Sequence, residues 1–254
     1  MSNESIEIGR LWLQLKRIAD SLVPQVREPF IGLPGLLGYW PMSIVDFLGN
    51  AKDHSGASSD LARIGAPTFN YDGDSYVQCG VATDYLAGST SAQTVIGTEV
   101  WMASGLRGLT LGGWFKIDVV PTLTSGLVTK GGGTPNRGYE LILDTSNQPT
   151  FTVSIDGTAT VQVLGSAIGV ASWVFIVGRF TPSSELALFI DQVKTTNTTS
   201  IPATINVNAQ PFEIARRLNT NTRITECKVR DCFLAASVLS DAAIESVRLA
   251  TLPS

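Results

Sequence analysis

The sequence predicts a mainly β protein in which two antiparallel sheets pack face to face. The clearest indication is the stretch 109–118, LTLGGWFKID, in which Leu, Leu, Gly, Phe and Ile alternate with Thr, Gly, Trp, Lys and Asp. A period of two residues over this length is typical of a β-strand with one buried face. Such a strand needs a second layer to cover that face. Because Trp114 falls on the opposite side, we expect that side to be covered as well at that point.

Further strand-like stretches follow at a spacing of about 8–12 residues, with turn residues between them, which is typical of a sandwich. They are residues 125–130, 139–143, 151–155, 173–180, 186–190, 211–215 and 224–234. The stretch 173–180 is apolar on both faces and therefore predicts a central strand that is covered on both sides. A short helix over 241–249 follows, with Ser240 as its N-cap. The side chains expected to be largely buried are Trp114, Phe115, Trp173, Phe175 and Leu188.

Composition excludes several classes of protein. Of the 254 residues only 16% are charged, and there are 24 glycines, which fits a turn-rich β fold and not a disordered chain. The net charge of −4, without a basic stripe, argues against a nucleic-acid partner, and no stretch has the length of a transmembrane helix. Three cysteines are too few for a disulfide scaffold. Cys227 and Cys232 lie five positions apart in a strand-like stretch, so we expect free, buried thiols that face opposite sides.

The first 23 residues predict an amphipathic helix with a heptad-like apolar seam. The seam residues are spaced alternately three and four positions apart: Ile8, Leu11, Leu15, Ile18 and Leu22. Mixed Ile and Leu without a buried Asn favours a homotrimer over a dimer, although a helix that packs on its own domain has the same period. Residues 24–35 are rich in Pro and Gly and predict a linker, which leaves 36–254 as the β domain. Charges interrupt the N-terminal stretch, so we expect no signal peptide.

The order of the motifs resembles the concanavalin A-like, laminin-G-type jelly rolls over residues 36–250. The motifs that carry the resemblance are GLLGYWPM, YDGDSYVQ, LTLGGWFKI, GYELILD with PTFTVSIDG, SWVFIVGRF with SELALFIDQV, and KVRDCFLAASVLSDAAIESV. The sequence departs from the family pattern where Gln192 replaces a Gly after Asp191, and residues 84–104 form an additional insertion. The resemblance implies a two-sheet antiparallel jelly roll. Its members include glycan-binding lectins, calcium-dependent adhesion modules, glycosidases and structural modules.

No catalytic pattern is present, so we expect no enzyme. Glycosidases of this family carry an E-x-D-x-x-E pattern on one strand, which this sequence lacks. Glu140 and Asp144 share a face of one predicted strand but stand about 13 Å apart along it, whereas glycoside hydrolysis requires carboxylates about 5–9.5 Å apart. Asp72 and Asp74 are weak calcium candidates, because two carboxylates are few for a cation that takes six or more oxygen ligands. We therefore expect no cofactor, with calcium as the open alternative.

The combination of an anchoring helix and a lectin-like jelly roll suggests a component of a symmetric assembly. By analogy of layout, we expect a bacteriophage virion protein made in the host cytoplasm: a capsid decoration protein, a head fibre or a tail-associated protein. Its partners would be its own copies, other virion or shell proteins and, where it binds carbohydrate, a cell-surface glycan. The alternatives are a stand-alone glycan-binding lectin and a glycoside hydrolase. A cluster of exposed aromatics beside carboxylates at the rim of the sandwich would favour the lectin, and a rim without such a cluster would favour the structural role.

Overall fold

The computed structural model describes residues 30, 32–43, 45–46, 48–71, 75–80, 83–88, 108–206, 208–217 and 224–253. The predicted N-terminal helix with its seam lies outside the described residues, as do most of the linker and most of the insertion. The division into helix, linker and β domain therefore stays a prediction.

The described residues form fifteen strands and one helix. In chain order they are β1 (Leu36–Trp40), β2 (Leu61–Ile64), β3 (Thr68–Asn70), β4 (Tyr76–Cys79), β5 (Tyr85–Gly88), β6 (Leu109–Ile117), β7 (Ser125–Lys130), β8 (Tyr139–Leu143), β9 (Pro149–Ser154), β10 (Thr160–Leu164), β11 (Trp173–Thr181), β12 (Glu185–Ile190), β13 (Val193–Asn197), β14 (Phe212–Ile214), β15 (Cys227–Ala235) and α1 (Asp241–Ala250). Within the described residues, no helix is long and apolar enough to cross a membrane.

The strands form two sheets in which neighbouring strands run antiparallel. Sheet A has the order β13-β12-β11-β6-β15-β4-β3, with β1 paired to β15 as well, and sheet B has the order β10-β9-β8-β7-β14-β5-β2. The central core lies between the sheets and takes Phe115 and Leu188 from sheet A and Phe151 from sheet B, all fully buried. The predicted two-sheet antiparallel sandwich is confirmed.

A second core covers the outer face of sheet A. Helix α1 packs there. Its N-cap is Ser240, whose Oγ accepts a hydrogen bond from the backbone N of Ala243. Trp114 and Phe175 are buried beneath it, and Trp114 Nε1 donates to Thr251 Oγ1 at 2.8 Å. Sheet A is therefore covered on both faces over most of β6 and β11. The position of Trp114 in the alternating stretch 109–118 and the two apolar faces of 173–180 predicted this.

The region preceding β1 also contributes to this outer core. Phe30, inside the predicted linker, is 1% exposed and stacks on Tyr39 with the ring centroids 3.8 Å apart. Its ring also lies 5.6 Å from that of Phe233. The predicted linker is thus attached to sheet A at Phe30 by an aromatic cluster.

One expectation about the cysteines is wrong. The thiols are free and buried, as predicted, but Cys227 and Cys232 both face the central core. The reason is a β-bulge in β15, where the pairing with β6 shifts between Arg230 and Phe233 and Asp231 adopts a positive φ of 47°. One extra residue in a strand reverses the alternation of faces beyond it.

Trp173 is less enclosed than the other side chains expected to be largely buried, since it is only partly buried. It is the first residue of β11 and lies at the edge of the outer core, where it packs against the covered residues without being enclosed by them. Trp114, Phe115, Phe175 and Leu188 are buried as expected. Trp173 therefore lies at the border between the part of sheet A that α1 covers and the part that it leaves open.

Candidate functional site

A row of side chains crosses the uncovered part of the outer face of sheet A. Trp173 in β11 is the register partner of Lys116 in β6, Lys116 pairs with Lys228 in β15, and Lys228 pairs with Gln78 in β4. Residues that lie opposite one another on neighbouring strands point to the same face. Since Phe115 of β6 points into the central core, this row points outwards.

Two aromatic rings meet above this row. The rings of Tyr76 and Trp173 make an edge-to-face contact, with their centroids 6.0 Å apart and an angle of 63° between their planes. Tyr71 lies nearby, 53% exposed, and lines an open hollow together with Tyr76 and Gln78. We call these three aromatics and the row beneath them the aromatic surface.

Polar groups fix the position of Tyr76. Its hydroxyl accepts a hydrogen bond from Asn70 Nδ2 at 2.7 Å, and the ammonium of Lys228 lies 5.6 Å from its ring centroid. Lys228 also lies 3.4 Å from a carboxylate oxygen of Asp118, whose other oxygen accepts from Gln78 Nε2 at 2.6 Å. The ring is thus held from two sides before any ligand arrives, which reduces the entropy cost of binding.

The aromatic surface combines two kinds of recognition. The half-exposed rings offer apolar faces, while Gln78, Asp118 and Lys228 offer donors and acceptors at their edges. A ligand that has both an apolar face and many hydroxyl groups satisfies both at once. Burial raises the pKa of Tyr71, so its hydroxyl stays protonated and remains a donor.

Glu140 and Asp144, the carboxylates compared above with a glycosidase pair, do not meet at a common site. Glu140 is 1% exposed and accepts two hydrogen bonds from Arg217, at 2.9 and 3.0 Å. Asp144 follows the end of β8 and caps a turn by accepting from the backbone N of Ser146 and of Gln148. Each carboxylate is therefore engaged in holding the fold.

A further buried glutamate, Glu213, was not expected from the sequence. It lies in the same row of sheet B as Glu140, with Thr129 between them, and is 1% exposed. Burial raises its pKa to about 7, and the neighbouring Arg216 guanidinium, 3.0 Å away, offsets only part of that effect. The position of this glutamate between Phe212 and Ile214 in a short apolar strand could have indicated its burial.

The other predicted site residues lie outside the described residues. These are the seam residues Ile8, Leu11, Leu15, Ile18 and Leu22 and the calcium candidates Asp72 and Asp74. Within the described ranges, no group of three or more His, Cys, Asp or Glu side chains could hold a metal ion.

Comparison with known proteins places the fold in a family. A family model described as the concanavalin A-like lectin/glucanases superfamily matches residues 81–244. The chain belongs to this superfamily. No curated protein sequence matches the chain.

Solved structures with a similar fold include binding domains of botulinum neurotoxins. The binding domain of botulinum neurotoxin DC in complex with SialylT has a TM-score of 0.65 and 13% identity, over 85% of this chain and 52% of that one. The same domain in complex with rat synaptotagmin II gives 0.65 and 12%, over 85% and 52%. A structure of botulinum neurotoxin type C, whose cell entry depends on interaction with two ganglioside molecules, gives 0.65 and 13%, over 85% and 51%. This chain thus spans about half the length of those domains, and the likeness is one of fold.

Proposed function

We propose that this protein is a non-enzymatic, lectin-like module that binds glycans through the aromatic surface. The observation that carries the proposal is the edge-to-face pair of Tyr76 and Trp173, half-exposed above a row of charged and amide side chains. A sugar ring has an apolar C–H face that packs on an aromatic ring and hydroxyls that bind carboxylates, amides and ammonium groups. Partly exposed aromatics beside the carboxylate of Asp118 support a lectin over a purely structural role.

Two further points support this proposal. The superfamily of the chain includes lectins, and of the neurotoxin structures of similar fold one is a complex with SialylT and another belongs to a toxin that interacts with two ganglioside molecules. The carboxylates Glu140 and Asp144 are engaged by Arg217 and by a turn, which supports a binding role over hydrolysis.

Glycan array screening followed by calorimetry tests the proposal. We expect Trp173→Ala and Tyr76→Ala each to weaken binding of the best glycan about tenfold or more, because each removes a stacking face. Leu164→Ala is the matched control, since Leu164 is 47% exposed on β10 of the other sheet. Unchanged circular dichroism would show that the variants fold. Glycan binding that survives both aromatic substitutions would rule out this surface, and turnover of a bound polysaccharide would contradict the non-enzymatic role.

We propose further that the module is displayed on a symmetric particle, as a homotrimeric bacteriophage virion protein made in the host cytoplasm. The support is the heptad spacing of the seam from Ile8 to Leu22 followed by a Pro/Gly-rich linker. An exposed seam of five large aliphatics is an aggregation liability, so it must bury against copies of itself or against a shell protein. Burying each side chain contributes roughly 1.5–3 kcal/mol before ordering costs are subtracted.

Deletion of residues 1–24 and the substitution Leu15→Asp test the assembly role. We expect both to convert the trimer to monomer in light scattering and to prevent incorporation into a particle. Leu15→Ile is the matched control, because it keeps an aliphatic side chain at the same position of the seam. If the deletion and Leu15→Asp both retain the oligomer and the incorporation, the helix is not the assembly element.

A further inference from the structure

We infer that the aromatic surface is one half of a longer groove, and that its ligand is a linear oligosaccharide that lies across the strands of sheet A. This inference rests on the proposed glycan-binding function. It specifies the length of the ligand, its direction and the residues that contact its far end.

The second half of the groove is an open hollow on the other side of Trp173. It is lined by that indole, by the β12–β13 turn at Asp191, Gln192 and Val193, and by Leu252 close to the end of the described chain. Val193 is 64% exposed and Leu252 49% exposed, so two apolar side chains stand beside the exposed amide of Gln192. The mixture of apolar and polar groups matches that of the first hollow.

Trp173 belongs to both halves. It lines the second hollow, and its ring also contacts Tyr76, which lines the first. The two hollows therefore lie on either side of the aromatic pair, and the inferred groove joins them over its two rings.

The floor of the second hollow is rigid. Trp114 lies beneath it, 3% exposed and tied to Thr251 by its indole N–H. Arg248 is held by two hydrogen bonds to Glu245, both 2.8 Å long. The backbone N of Phe175 donates to Asp191, which orders the β12–β13 turn. A floor of this kind is preorganised and loses little entropy when a ligand binds.

The strand order sets the length of the groove. From β3 at the first hollow to β11 at Trp173, the sheet advances four strands, and the β12–β13 turn adds a fifth step. At about 4.8 Å per step the groove is roughly 24 Å long, and one pyranose unit of a linear chain has about the length of one step. The groove therefore accommodates about four to five sugar units.

The groove fits a sugar chain better than a peptide. A peptide strand that joins a sheet does so at an edge, through its main-chain groups. This groove runs across the face of sheet A, over β15 and β6, whose main-chain groups are already paired on both sides. Recognition here depends on side chains alone, and the ligand must supply its own hydroxyls as hydrogen-bond partners.

A series of linear oligosaccharides of two to six units tests the inference by calorimetry on the full chain. The probes are β1,4-linked glucose and N-acetylglucosamine oligomers together with the oligomers of the linkage that ranks first on the array. We expect affinity to rise at least tenfold from two to four or five units and then to level off. Gln192→Ala and Leu252→Ala should weaken the pentamer about three- to tenfold and leave the dimer unchanged, because the dimer binds at the aromatic pair. Leu164→Ala is again the control.

The outcomes separate this inference from the proposed function. If the dimer binds as tightly as the pentamer and only Trp173→Ala and Tyr76→Ala matter, glycan binding stands and the long groove is wrong. If affinity rises with length but Gln192→Ala and Leu252→Ala have no effect on the pentamer, the second hollow is not part of the site. If neither the array nor the graded series shows binding, both the proposed function and this inference are wrong.

Discussion

The glutamate buried in sheet B predicts an unusual dependence of stability on pH. Burial raises the pKa of Glu213 from 4.5 to about 7. Because the folded state binds this proton more tightly than the unfolded state, its contribution to stability is complete below pH 4.5 and is lost as the pH rises through 7. One pKa unit corresponds to about 1.36 kcal/mol, so ionising Glu213 lowers the free energy of unfolding by about 3 kcal/mol at pH 8.5. The substitution Glu213→Gln keeps the shape of the neutral acid and cannot ionise.

The measurement is urea unfolding of the natural protein and of Glu213→Gln at pH 5 and pH 8.5. We expect the variant to gain about 2.5 kcal/mol relative to the natural protein between the two pH values, because the unfolded chain already ionises this group in part at pH 5. Glu140→Gln is the matched control, since this neighbour in the same row holds Arg217 through two hydrogen bonds and its loss leaves a buried cation. That variant should be destabilised by about 3–5 kcal/mol at both pH values. A stability difference between Glu213→Gln and the natural protein that is the same at pH 5 and pH 8.5 would refute the reasoning.

Three further predictions concern the packing around sheet A. Phe30→Ala should lower the free energy of unfolding in urea by about 3 kcal/mol, because it removes a fully buried ring; a loss below 1 kcal/mol would show that this ring does not hold the linker. Gly178→Ala should lower the melting temperature, because its Cβ would stand 2.5 Å from an aromatic ring carbon, and an unchanged temperature would contradict that contact. Burial disfavours ionised Asp241 and Glu185, but Arg179 and Lys194 together outweigh it and hold both pKa values low. The destabilisation of Arg179→Met should therefore shrink as the pH falls from 7 to 3, and a constant value across this range would refute the network.

The strands of the sandwich could be predicted because their signal is local. The alternation in 109–118 and the doubly apolar stretch 173–180 correspond to β6 and β11 within one or two residues. The short or exposed strands β2, β3 and β13 gave no comparable pattern, since they lie at or beside a sheet edge where only part of one face is buried. Their positions depend on the strands beside them.

The candidate site could not be predicted because its parts come from distant stretches. Tyr76 and Trp173 are almost a hundred residues apart, and only the register of β4, β15, β6 and β11 brings them into contact. The same is true of the incomplete burial of Trp173. Its apolar character was visible in the sequence, but how far α1 extends over β11 depends on how the helix docks.

By itself, the sequence determined the class of fold, the central strands, the short C-terminal helix and the absence of a family-type catalytic pattern. These follow from side-chain periodicity, capping and composition, which act between neighbouring residues. The tertiary structure decided which outward faces are covered, that a bulge turns Cys232 towards the central core, that Glu213 is buried beside Arg216, and that two aromatics meet over a charged row. Each of these depends on the pairing of strands far apart in the chain, because burial and contact arise only when the sheets and the helix pack together.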